Sequence, residues 1–220
     1  MELKPQKYRL ALVFKSMFFP MVFPDCVDSL SNRGFSVKPF PPKTAFVGNR
    51  AYVSGRVAER DDTIVELNSE RHILACEGLN LTDVVSIMNE LIDITQKDFL
   101  VSMNDVDYLE LNANLVVTSD KKAVNRLREL YADTKVMKQF SDILKTAVGS
   151  FSITLAPKEV LPTDRKWFDI RIEPRITKPT KEYFVHLVFR NRDIKDVLDF
   201  SNSMESTIRR LLSVVEGTKA

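Results

Sequence analysis

Few side chains in this sequence are equipped for catalysis or metal binding. Its 220 residues include two histidines, two cysteines and one tryptophan. Cys26 and Cys76 form no CxxC pair and no Cys/His cluster, so they read as buried free thiols of a reducing compartment. HExxH, paired CxxC and the calcium-loop pattern are missing. So are the GxSxG elbow and the glycine-rich phosphate cradles. Neither a metal nor a cofactor is expected, and no residue is assigned a catalytic role. A pair of glycosidase-type carboxylates leaves no sequence signature, because the fold sets their separation. An enzyme with an unrecognised carboxylate site therefore stays open as an alternative.

Long apolar runs are also lacking. The nearest approach is Leu10 to Phe23, which ends in Phe18-Phe19-Pro20-Met21-Val22-Phe23 and contains Lys15 and Pro20. Fourteen residues fall short of the roughly 20 that span a bilayer. Lys15 splits any signal-peptide h-region, and FPDC does not resemble a cleavage site. The expectation is a cytoplasmic protein with no membrane partner. The aromatics of this stretch read as core, because burying one Phe contributes about 1.5–3 kcal/mol. A protein contact, or a wedge between base steps, are the other readings.

With six glycines and ten prolines there is no low-complexity tract; 44% of residues are apolar and 28% charged. That is a globular composition, long enough to bury a core without staples. The net charge of +2 is unevenly spread. Residues 61–110 carry twelve acids and two bases, while 1–60 and 111–220 are each basic. Such blocks steer a partner or drive self-association, or they solvate helix and loop surfaces.

Hydrophobic periodicity supplies the architecture. Alternation predicts strands over Tyr8–Phe14, Ser36–Phe40, Ala51–Glu59, Thr63–Asn68 and Arg71–Glu77, with a turn at Arg60-Asp61-Asp62-Thr63. Helical spacing predicts a short helix after Pro24, stopping at Gly34, and a longer one from Leu81 to Lys97. The same order follows again. A strand covers Tyr108–Val117, and a long helical region, broken near Asp133-Thr134, runs from Ser119 or Asp120 to Lys145. Strands at Ser150–Ala156, Trp167–Ile176 and Tyr183–Arg190 precede a last helix after Asp193. His72-Ile73-Leu74 before Leu81-Thr82-Asp83-Val84-Val85 is echoed by His186-Leu187-Val188 before Ile194-Lys195-Asp196-Val197-Leu198, at offsets of 114 and 113.

Each half thus reads β-α-β(3–4)-α, an α+β design of mainly antiparallel sheet with helices on one face. The halves divide as residues 1–104 and 105–220, packed as one compact unit, and their length points to duplication of a domain-sized piece. The order of elements is similar to the two-repeat saddle of TATA-box-binding proteins. A pair of ferredoxin-like units is the alternative.

Function is sought on surfaces. Residues 158–192 carry nine Lys/Arg against five Asp/Glu, together with the single tryptophan. A strand here puts Phe168, Ile170 and Ile172 on one face and Trp167, Asp169, Arg171, Glu173 and Arg175 on the other. Arg165, Lys166, Trp167, Arg171 and Arg175 form a candidate nucleic-acid patch, able to contact phosphates and stack bases. Asp169 and Glu173 interrupt it, as the charges of a solvated face would, and a sequence pI near 8.4 is low for a dedicated nucleic-acid binder. Arg209-Arg210 suits a helix C-terminal half. His72 and His186 read as structural. The favoured function is a non-catalytic binding protein that takes a protein partner or a second copy through its sheet surface. A nucleic-acid-binding module is the alternative.

Overall fold

A computed structural model describes residues 1–16, 25–37, 43–47 and 50–218. The stretch from Phe18 to Pro24 lies outside the described residues. The chain runs β1 (Leu3–Phe14), α1 (Asp25–Asn32), β2 (Ser36–Val37), β3 (Lys43–Val47), β4 (Arg50–Arg60), β5 (Thr63–Asn68), β6 (Ile73–Gly78) and α2 (Leu81–Lys97). It continues through β7 (Val106–Thr118), α3 (Ala123–Glu129), α4 (Lys135–Leu144), β8 (Ile153–Leu155), β9 (Trp167–Pro174), β10 (Glu182–Asn191) and α5 (Ile194–Glu216).

All the strands join one antiparallel sheet, in the order β2-β4-β5-β6-β1-β7-β10-β9-β8, with β3 on β4. The two longest strands, β1 and β7, pair near its centre, so the sheet runs unbroken from the first half of the chain into the second. Alternation in these strands sorts their faces. Tyr8, Leu10, Leu12, Leu109, Leu111, Val185 and Leu187 are fully buried beneath the helices. The buried stripe of α2, Val84, Met88, Leu91 and Thr95, meets this layer, as does that of α5, Val197, Ser201, Met204 and Ile208. Across the join, the Tyr8 hydroxyl donates to Glu205 of α5 at 2.6 Å. Burial and this bond keep the phenol protonated far above its ordinary range.

Local signals explain the boundaries. Asn80 caps α2 by accepting from Thr82 N, and Asp193 caps α5 by accepting from Lys195 N. Thr134 caps α4, so the long helical region of the second half breaks where Asp133-Thr134 predicts. Gly34 and Gly217, at φ 82° and 64°, end α1 and α5 in a conformation that side chains resist. The β4–β5 hairpin turns on Asp61 and Asp62, at φ 48° and 60°, the left-handed pair that matches the twist of a two-residue hairpin.

Two expectations are corrected. β3 was not foreseen, because Pro41, Pro42 and Gly48 frame its five residues and read as loop. His72 does not open a strand: at φ 57° it sits in the β5–β6 turn, and β6 begins at Ile73. His186, by contrast, lies inside β10, so the two histidines occupy different kinds of position.

Candidate functional site

The sheet face turned away from α2 and α5 is a polar surface built across the strands. The register assembles it from residues that alternate with the core. One row crosses five strands as Lys7, Asn114, His186, Arg171 and Thr154. The next reads Glu77, Arg9, Asn112, Val188 and Asp169. A third reads Ala75, Ala11, Glu110, Arg190 and Trp167. Strands stand about 4.8 Å apart, so each row is roughly 20 Å long.

Most cations on this surface stand beside a carboxylate, whereas Arg171 has none beside it among the described residues. Lys7 pairs with Glu77, and Arg9 Nε lies 3.5 Å from Glu66 and 3.9 Å from Glu77. Arg190 Nη1 stands 3.8 Å from Glu110, its guanidinium 5.3 Å over the Tyr108 ring, and its Nη2 donates to the Pro162 carbonyl. Burial raises the Glu110 carboxyl above the usual range against the pull of Arg190 and Arg9. His186 Nδ1 lies 2.7 Å from Asn114 Oδ1. Asp169 Oδ1 is shielded from solvent with no hydrogen-bond partner among the described residues.

The structure places the five residues of the basic patch in different surroundings. Arg165 Nε donates to both carboxylate oxygens of Asp107, at 3.0 and 2.9 Å. Arg175 Nη1 lies 2.7 Å from Glu182, whose other oxygen takes Lys178 at 3.1 Å. These cations hold the Glu182 carboxyl below its ordinary range. Lys166 is exposed beside β9. Trp167 is half-buried opposite Arg190, and Arg171 is exposed between Thr154 and His186. Trp167 and Arg171 do share a face, as period-two alternation requires, roughly 13 Å apart along β9.

Lys7, Arg9, Asn112 and Asn114 belong to the same surface and escaped sequence reasoning. Their signal was present, since Glu110, Asn112 and Asn114 alternate with Leu109, Leu111 and Ala113 in one strand. Which strands adjoin β7 was needed to see what they join.

Elsewhere, no group of three His, Cys, Asp or Glu residues among the described residues could hold a metal ion. His72 faces a small recess lined by Leu67, Asn68, Ser69 and Ile73, with no carboxylate. Among the described residues, no helix is long and apolar enough to cross a membrane. No family model, curated protein or solved structure matches the chain.

Proposed function

We propose that this chain is a non-catalytic binding protein that takes a protein partner on its polar sheet face. The observation that carries the reading is the row Lys7–Asn114–His186–Arg171–Thr154. It offers hydrogen-bonding side chains on five adjacent strands, on a face whose acids and bases are interleaved. A polyanion is drawn to uncompensated cations, whereas here Lys7, Arg9, Arg165, Arg175 and Arg190 each stand beside a carboxylate. A mixed, half-neutralised surface suits another protein's polar surface, where complementary charges give specificity.

The proposed reading of the fold is a duplication, residues 1–104 and 105–220, in the saddle order of TATA-box-binding proteins. Several observations support it. β6 then β5 flank β1, as β10 then β9 flank β7. Caps Asn80 and Asp193 are 113 residues apart, and so are the buried pairs Val84 and Val197, Met88 and Ser201, and Leu91 and Met204.

Trp167 lies on the candidate face, so its fluorescence tests the choice of partner. Titration with short duplex and single-stranded nucleic acids at low salt is expected to give no saturable change. Saturable, salt-weakened binding that disappears in Arg171→Ala, with the fold intact, would put nucleic acid in the protein's place.

A further inference from the structure

α4 is a helix without a core. Val136, Phe140, Ile143 and Leu144 fall at i, i+4, i+7 and i+8, a single apolar stripe, yet they are 53%, 48%, 72% and 60% exposed. No residue of α4 is buried. Leu130 and Tyr131, just ahead of it, are 37% and 42% exposed. Both ends are nevertheless finished: Thr134 Oγ1 accepts from Met137 N, and Lys145 adopts the left-handed conformation at the C-cap. Among the described residues, this amphipathic helix has nothing for its apolar side to cover.

The same half of the molecule holds an apolar surface that no helix covers among the described residues. A groove of about 470 Å³ opens between α5 and the β8–β9 edge, lined by Leu155, Phe168, Ile170, Phe189, Phe200 and Leu211. Phe189 and Phe200 stack there at 4.1 Å. Beside α2 in the first half, a helix is in place. Cys26 and Leu30 of α1 are buried, and Ser29 and Arg33 tie α1 to Asp98 and Asp93 of α2 and its C-cap. Ile87, 113 positions before Phe200, is 2% exposed there.

We infer that α4 of a second copy of this chain lies in the groove, the two copies exchanging their α4 helices about a two-fold axis. The dimensions agree. Ten residues of α4 span about 15 Å, and the α5 wall from Phe200 to Leu211 spans about 16 Å. The area also meets the requirement. The six exposed side chains of 130–144 leave the equivalent of about three whole large side chains in solvent, on the order of 600 Å² at roughly 200 Å² each. In a reciprocal exchange the partner's helix also covers each copy's groove, which puts the area within the roughly 600–1,000 Å² per partner of a specific interface. Reciprocity also closes the assembly, where a one-way contact would propagate a fibre.

The test is the mass of the full chain in solution by light scattering, with two variants at half-buried or exposed positions. Wild type is expected at twice its 25.2 kDa. Ile143→Asp on the helix and Thr207→Arg at the groove wall, each with unchanged circular dichroism, are expected to be monomers. Mixed together they are expected to recover a weaker dimer, because one intact helix then meets one intact groove. A monomeric wild type at its highest soluble concentration overturns the inference. So does a dimer indifferent to Thr207→Arg, which would mean that α4 meets some other surface. A third outcome contradicts it as well: Ile143→Cys with Thr207→Cys closing a disulfide within one chain would show that α4 covers its own groove.

Discussion

Leu10 of β1 and Leu111 of β7 stand directly opposite each other near the centre of the sheet, and both are wholly buried. Beyond Leu10 lies Cys76 and beyond Leu111 lies Phe189, so the join between the halves is an ordinary pair of sheet rungs, not a linker. A cavity at either leucine is felt by both halves. Leu10→Ala is expected to cost about 2–5 kcal/mol. The loss should appear in the denaturant midpoint read by Trp167, which lies wholly in the second half. If Trp167 unfolds at the wild-type midpoint while far-UV circular dichroism shifts, the halves are independent units.

Alkaline pH should weaken the fold. Burial pushes the Cys26 thiol and the Tyr183 phenol up to about 12, and raises Cys76 and Tyr8 further. Unfolded, these groups titrate near their ordinary 9.0 and 10.0. Well below pH 9 both states keep their protons, and stability is unaffected. Above it the unfolded chain releases protons that the folded chain retains, so stability falls. Unfolding free energies in urea are expected to be level from pH 7 to 8.5 and to drop from about pH 9 upward. Cys26→Ala should make that drop shallower. A curve level to pH 11 would contradict the burial of these groups.

Positive φ marks two turns for substitution. Asp61→Asn with Asp62→Gly supplies the residues a left-handed pair favours, and a gain of about 0.5–1 kcal/mol is expected in thermal or urea unfolding. His72→Asn should be neutral within about 0.5 kcal/mol, since Asn tolerates the same conformation. A large loss in His72→Asn would give that imidazole a role its surroundings do not suggest.

Arg33 joins α1 to α2 through Asp93 at 3.0 Å and Asp98 at 2.8 Å. Both carboxyls sit below the ordinary range, Asp93 chiefly through hydrogen bonds from Lys97 and Arg33, and Asp98 through Ser29 and then Arg33. The pairs are solvent-facing and worth little globally. Their effect should be local: Arg33→Ala is expected to speed amide hydrogen exchange in α1 several-fold while leaving β1 and β7 unchanged. Equal rates in α1 would show that Cys26 and Leu30 hold it unaided.

Much of this architecture is legible in the sequence, because period and caps are local. The bounds of β5 and α2 follow from Thr63–Asn68 and from the Leu81–Lys97 spacing, and the break before α4 follows from Thr134. What stays hidden depends on neighbours. Arg165 and Arg175 look like free cations along the chain, but Asp107 reaches Arg165 from 58 positions away and Glu182 reaches Arg175 from across a turn. Asn114 and His186 meet across 72 positions, through a pairing of β7 with β10 that periodicity does not announce. The bare stripe of α4 is also invisible in sequence, where Val136, Phe140 and Ile143 look like any core helix.

The central claim is that a protein occupies the polar sheet face, and site-specific photocrosslinking in living cells tests it most directly. A benzophenone amino acid at Arg171 would be compared with one at exposed Ser206 on α5, both in an Ile143→Asp background that removes any exchange of α4. The account predicts one discrete protein adduct from position 171, absent from position 206 and lost when Arg9 is also changed to Glu. Adducts to nucleic acid, or the same adducts from both positions, would contradict it.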